Sequence, residues 1–179
     1  MTTRTPAVAR ALDLVFMWPG YLAGALYILL SFFVTYDVLA RKWGSYVGLP
    51  TTRVTDEISG YMLALAATWG AAFTLRTGGH VRIDVTFPYM ARRLRTAVDV
   101  IAQVLMAVFA SVISRKIWSL VADSLQNDMR SSTYLVTPLW IPQGILGVGF
   151  SLLALAAAFT AVAILAGWES AEASAGPQA

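Results

Sequence analysis

Residues 131–168 run for 38 positions without a formal charge. As one helix at 1.5 Å per residue, that stretch would reach ~57 Å, far beyond the roughly 30 Å of bilayer hydrocarbon. A chain of 179 residues cannot hide so long an apolar run in one soluble core. Other long intervals with few charges precede it. Hydrophobic types make up 58% of the chain and Lys, Arg, Asp and Glu only 13%, about half the charged share of a soluble domain. The sequence predicts an integral membrane protein, all-α, with four transmembrane helices and short interfacial helical segments.

The spans follow from where charges stop. The first covers about 14–36, bracketed by Asp13 and Asp37. It is too long for a signal-peptide core and is read as retained. Pro19 would fall in its first two turns, where a missing N–H is tolerated. The second covers about 58–75 and follows Thr55-Asp56-Glu57, a plausible N-cap with two acids set against the helix dipole. The third, about 97–122, carries Asp99 near one end and Arg115-Lys116 near the other. Those basic stems are expected to snorkel, leaving about 100–114 as the dry centre. Pro138 and Pro142 divide the 38-residue run, giving an interfacial stretch at about 131–141 and a fourth span at about 143–166. Residues 1–167 form a single four-span domain on this reading, and 168–179 a flexible cytoplasmic tail.

Four spans put both termini on one side. With the termini inside, cytoplasmic segments hold seven basic residues: Arg4, Arg10, Arg76, Arg82, Arg92, Arg93 and Arg95. The other side holds four, Arg41, Lys42, Arg53 and Arg130, with Arg115 and Lys116 near that face. The asymmetry favours cytoplasmic termini. Because the 13 basic residues sit beside membrane segments, nucleic-acid binding is not predicted.

Composition also removes chemistries. The chain has no cysteine and one histidine, His80. That excludes thiolate nucleophiles, Cys-ligated metals and paired haem histidines. No enzyme activity and no cofactor in this chain are expected. No acid lies at the centre of a span, where a self-sufficient proton-coupled carrier would want one. The shallow pairs Asp37/Arg41 and Arg95/Asp99 have i,i+4 spacing and suit local ion pairs or subunit contacts.

Several other residues carry two readings. Asp56 and Glu57 serve either as first-turn acids or as a partner contact. His80, Arg82 and Asp84 follow the Gly78-Gly79 break and suit a structural loop network, since no further ligands converge there. Small residues recur at four-residue intervals, including Gly20/Gly24, Gly60/Ala64, Ala66/Gly70 and Gly147/Ser151, which permits close helix approach. Trp18, Trp43, Trp118, Trp140 and Trp168 fall near span ends as an aromatic belt does. Trp69 lies inside span two and is expected to pack against a helix or partner. The segment 86–95 mixes apolar residues with three arginines, which suits a surface helix.

Taken in order, Asp56-Glu57-Ile58, Trp69-Gly70-Ala71-Ala72 and Leu75-Arg76-Thr77-Gly78-Gly79-His80-Val81-Arg82-Ile83-Asp84 resemble a known pattern. It is that of the small, DctQ-like membrane subunit of tripartite ATP-independent periplasmic transporters. The run Thr137-Pro-Leu-Trp-Ile-Pro-Gln143 resembles the approach to that family's fourth span. The likeness covers about residues 12–167, with Asp56 standing where the family commonly has Glu.

The resemblance implies a subunit of a sodium-coupled, binding-protein-dependent transporter for organic acids, carboxylates or acidic sugars. Its partners would be a large multi-span transport subunit, which holds the sodium and substrate sites, a periplasmic solute-binding protein, and membrane lipid. This chain would brace the large subunit and help dock the binding protein at a bacterial inner membrane. Asp56, Glu57, Trp69, Gly70, Arg76, His80, Arg82 and Asp84 would be structural or subunit-contact residues. Two other classes stay open: a structural or assembly subunit of another membrane complex, and a small four-helix homodimeric exporter.

Overall fold

The computed structural model describes residues 7–48, 50, 53–76 and 92–166. They form four helices: α1 (Ala7–Val47), α2 (Thr55–Arg76), α3 (Arg92–Gln126) and α4 (Trp140–Leu165). Each is long and apolar enough to cross a membrane. The chain is an all-α, multi-pass membrane protein. The residues expected to form a flexible tail, 168–179, lie outside the described ones.

The helices outrun the apolar intervals that mark them. At 41 residues, α1 would extend ~60 Å, about twice the hydrocarbon thickness. It runs past Asp37 and Arg41 because the Arg41 Nε donates to the Asp37 carboxylate at 2.6 Å along the same helix face, which satisfies both charges without breaking the backbone. Pro19 is therefore interior to α1 rather than within its first two turns. It forfeits one backbone bond, a loss that helices in membrane bundles tolerate.

Two helix starts differ from expectation. The Val54 carbonyl accepts the Ile58 N–H at 3.0 Å, so Val54 occupies the cap position and Thr55 is the first helical residue. Helix α4 begins at Trp140, before the expected Gln143, because Pro142 sits in its first turn where an N–H has no intrahelical partner anyway.

Between α3 and α4 there is no interfacial helix among the described residues. The chain instead doubles back on itself. The Ser131 N–H donates to the Thr137 carbonyl at 2.9 Å and the Leu139 N–H to the Met129 carbonyl at 3.0 Å, making an antiparallel bridge between Arg130 and Pro138. Asp128, at φ 44°, ends α3 in the left-handed conformation, with the Met129 N–H returning to the Ser124 carbonyl at 3.0 Å. That is a Schellman-type stop. Backbone groups that a helix would have paired internally are paired across the loop instead.

The packing order across the bundle is α1, α2, α4, α3: α1 packs on α2, α2 on α4, and α4 on α3. Contacts fix the directions. Gly20 of α1 meets Phe73 of α2, and Gly70 meets Ala23, so α1 and α2 are antiparallel. Glu57 lies beside Thr133 and Trp69 beside Ile145, so α2 and α4 run parallel. Ser124 pairs with Gln143 and Ser114 with Ser151, so α3 and α4 are antiparallel. The end of α1, the start of α2 and the connection 127–139 thus share one end of the bundle. The start of α1, the end of α2 and the end of α4 share the other.

The core where α2, α3 and α4 meet is built of Ala72, Leu75, Ala110, Leu153, Ala156 and Ala157. Mostly alanine, it matches how helices associate in lipid, by close backbone approach rather than by expelling water. Hydroxyls add specific links. The Ser151 Oγ lies 2.8 Å from the Ser114 Oγ and accepts the Trp118 indole N–H at 3.2 Å. Trp118 is thereby tied into the α3–α4 contact, rather than acting only as a span-end anchor.

Candidate functional site

The sequence directs attention to α2, and its first turn makes the most organised polar cluster among the described residues. The Tyr61 hydroxyl, one turn on, donates to the Glu57 Oε1 at 2.7 Å. The Thr133 hydroxyl of the α3–α4 loop donates to the other carboxylate oxygen. Ser131 joins the cluster through a hydroxyl–hydroxyl bond to Thr133, and its Oγ also accepts the Thr133 N–H at 3.2 Å. A carboxylate accepting from two hydroxyls is held in its charged form. Chemically the cluster is a latch: it joins α2 to a loop 76 residues away in sequence. Asp56 takes no part in it. That residue is exposed, and its carbonyl accepts the Ser59 hydroxyl at 3.2 Å.

Trp69 and Gly70 are adjacent, about 100° apart around the helix, and address different neighbours. The Trp69 indole donates to the Ile145 carbonyl of α4 at 3.1 Å. A Cβ at Gly70 would stand 3.5 Å from the Ala23 Cβ of α1, an ordinary contact. Two successive residues thereby set α2 between the helices that flank it. Arg76 is the last residue of α2. His80, Arg82 and Asp84 lie outside the described residues.

Two glycines sit where no side chain would fit: Gly20, of the expected Gly20/Gly24 pair, where a Cβ would fall 2.3 Å from the Phe73 ring, and Gly149, which four-residue spacing does not mark. A Cβ on Gly149 would fall 2.5 Å from the Thr68 Oγ1, 2.7 Å from its Cβ and 2.8 Å from the Trp69 Cδ1. The usable signal was a seven-residue stripe, Gly149, Ala156 and Ala163, all buried on α4. That spacing is two helical turns. By contrast Gly24 and Gly60, both in expected small-residue pairs, have nothing within 4 Å of an added Cβ.

Between α2 and α4, near the latch, lies a crevice of about 270 Å³ lined by residues including Leu65, Ile141, Pro142, Ile145 and Leu146. Tyr61, Thr137 and Gln143 also border it, but the surface it exposes is almost wholly apolar and carries no cation to compensate a buried carboxylate, whose desolvation would be costly. No three His, Cys, Asp or Glu side chains converge among the described residues. The arrangement is thus one of helix-to-helix fasteners, with the Glu57 carboxylate engaged by groups of the same chain.

A family model described as "Tripartite ATP-independent periplasmic transporters, DctQ component" matches residues 30–169, 140 of the 179 positions. Curated proteins and solved structures gave no match.

Proposed function

This chain belongs to the DctQ component family of tripartite ATP-independent periplasmic transporters, and on that premise we propose that it braces a large transport subunit without itself binding substrate. The subunits of this family are not enzymes. In the proposed role a single four-span domain associates with a large multi-span subunit and with membrane lipid. A periplasmic solute-binding protein delivers an organic acid, and transport is driven by sodium bound in the large subunit. The outer loops of this chain help dock the binding protein.

The observation that carries the reading is the use of the Glu57 carboxylate. Both of its oxygens are taken by Tyr61 and Thr133 of the same chain, and the nearby crevice is apolar. A site for an acidic substrate needs free donors or cations, and the cluster around Glu57 supplies fasteners instead. Asp56, Glu57, Trp69, Gly70, Arg76, His80, Arg82 and Asp84 are accordingly assigned to structure or subunit contact. Affinity purification in mild detergent should return a stoichiometric large membrane subunit. Recovery of a homodimer with no partner would favour the small-exporter reading instead.

The proposed location is a bacterial inner membrane with both termini cytoplasmic. The seven-to-four basic asymmetry supports that orientation. The chain lacks cysteine, so single cysteines at Thr3, Ser45 and Ser174 report sidedness cleanly. An impermeant thiol reagent added from the periplasm should label only the Ser45 position, and labelling of both terminal positions would reverse the topology.

A further inference from the structure

Helix α3 lies at one edge of the bundle, packed on α4 through Ala110, Ser114, Val121 and Ser124. Its opposite face carries an exposed apolar stripe, Ile101, Leu105, Val108 and Val112. That stripe runs into Arg115, Lys116 and Ser119, which with Val112 line a recess of about 330 Å³. Neither Arg115 nor Lys116 has an ion pair or hydrogen bond among the described residues. No acid lies within one turn of them on either side in the sequence.

Their level in the bundle follows from the bonds beside them. Ser114 is bonded to Ser151 at 2.8 Å, and Ser151 lies near the middle of α4, the 26-residue helix Trp140–Leu165. At 1.5 Å per residue that is about 17 Å from Trp140 and ~21 Å from Leu165. With α4 spanning roughly 30 Å of hydrocarbon, the two cations stand well inside it. A lysine or arginine stem can carry its charge to the interface from the last turns of a span. From this level it falls short, so the snorkelling expected from sequence does not account for the pair. An unpaired cation facing acyl chains at such depth is costly and calls for a partner.

We infer that Arg115 and Lys116 receive a carboxylate from a membrane helix of the large subunit, and that the face of α3 opposite α4 is the side meeting that subunit. The inference rests on the association proposed above. Charge complementarity selects the class of group: the site offers a guanidinium fork, an ammonium and the Ser119 hydroxyl, all donors suited to a carboxylate or phosphate. Depth selects the source, since lipid phosphates stay at the membrane surface whereas a protein side chain can be presented at any level. The apolar stripe beside the cations supplies the flanking contact such a helix would need.

The test uses the chain co-expressed with the large subunit of its own system. A photoreactive benzoylphenylalanine replacing Ser119, irradiated in native membranes, should crosslink to the large subunit. The double variant Arg115→Gln/Lys116→Gln should lower the co-purified ratio of large to small subunit by about tenfold or more, as expected when a buried charge loses its partners. The charge-retaining Arg115→Lys/Lys116→Arg should keep most of it. Because both residues are exposed and unpaired within the chain, the Gln variant alone in detergent should unfold at an unchanged temperature, which separates lost docking from lost folding. Should the unmodified chain capture no large subunit, the proposed function itself fails and this inference with it. If capture occurs but the photoprobe reacts only with lipid, or the Gln variant captures as well as the original, the association stands and the inference is overturned.

Discussion

Replacing Gly149 with alanine is expected to separate α2 from α4 and to lower the thermal stability of the purified subunit clearly. The added Cβ would lie 2.5 Å from the Thr68 Oγ1 and 2.7 Å from the Thr68 Cβ, closer than real side-chain contacts come. Thr68 has little freedom to yield, because its hydroxyl is bonded to the Ala64 carbonyl at 2.8 Å and the Leu65 carbonyl at 3.2 Å. The helices must therefore move apart, at a cost of about 1–3 kcal/mol for alanine and more for valine. The comparison variant is Gly24→Ala. Gly24 belongs to the GxxxG pair of α1 yet has nothing within 4 Å of an added Cβ, so it should show no loss. Unfolding followed by size exclusion across a temperature series ranks the two. Equal behaviour of both variants would mean that the α2–α4 approach is not what holds the bundle.

The second large effect is expected at Trp69. Its indole N–H reaches the Ile145 carbonyl at 3.1 Å, while its ring lies against the space left open by Gly149. Hydrogen bonds between helices in lipid contribute on average only about 0.6 kcal/mol, so Trp69→Phe should cost little. Trp69→Ala removes the packed ring, and for a half-buried tryptophan the loss should be about 2–4 kcal/mol, somewhat below the fully buried range. Equal losses in the two variants would assign the joint to the hydrogen bond instead of the packing.

Much of this architecture is legible in the sequence because membrane constraints are severe. Charge-free intervals mark spans, and each expected interval falls on one helix. What they do not mark is where a helix ends once it leaves the hydrocarbon. Asp37 reads as a boundary, yet it is paired with Arg41 one turn on, and α1 continues to Val47. Pro138 and Pro142 look alike in sequence but act differently: one closes the bridged loop, while the other fits the first turn of α4.

The joints were harder to read than the spans. In sequence Glu57 reads as a first-turn acid or a partner contact, but its link to Thr133 spans 76 residues, and no local pattern announces such a pairing. Four-residue spacing does not mark Gly149, whose small partners on the buried face of α4, Ala156 and Ala163, stand seven and fourteen residues on. From the sequence of α3 alone, Arg115 and Lys116 read as interfacial. The register with α4, fixed by Ser114 and Ser151, sets them level with the middle of that helix, which α3 alone does not reveal.

In the proposed role this chain supports transport without performing it. The direct measurement is uptake into proteoliposomes under an inward sodium gradient, with candidate organic acids and the cognate binding protein outside. Vesicles holding this chain and the large subunit together should show saturable uptake, and vesicles holding this chain alone should show none. Robust, saturable uptake by this chain without the large subunit would contradict the account.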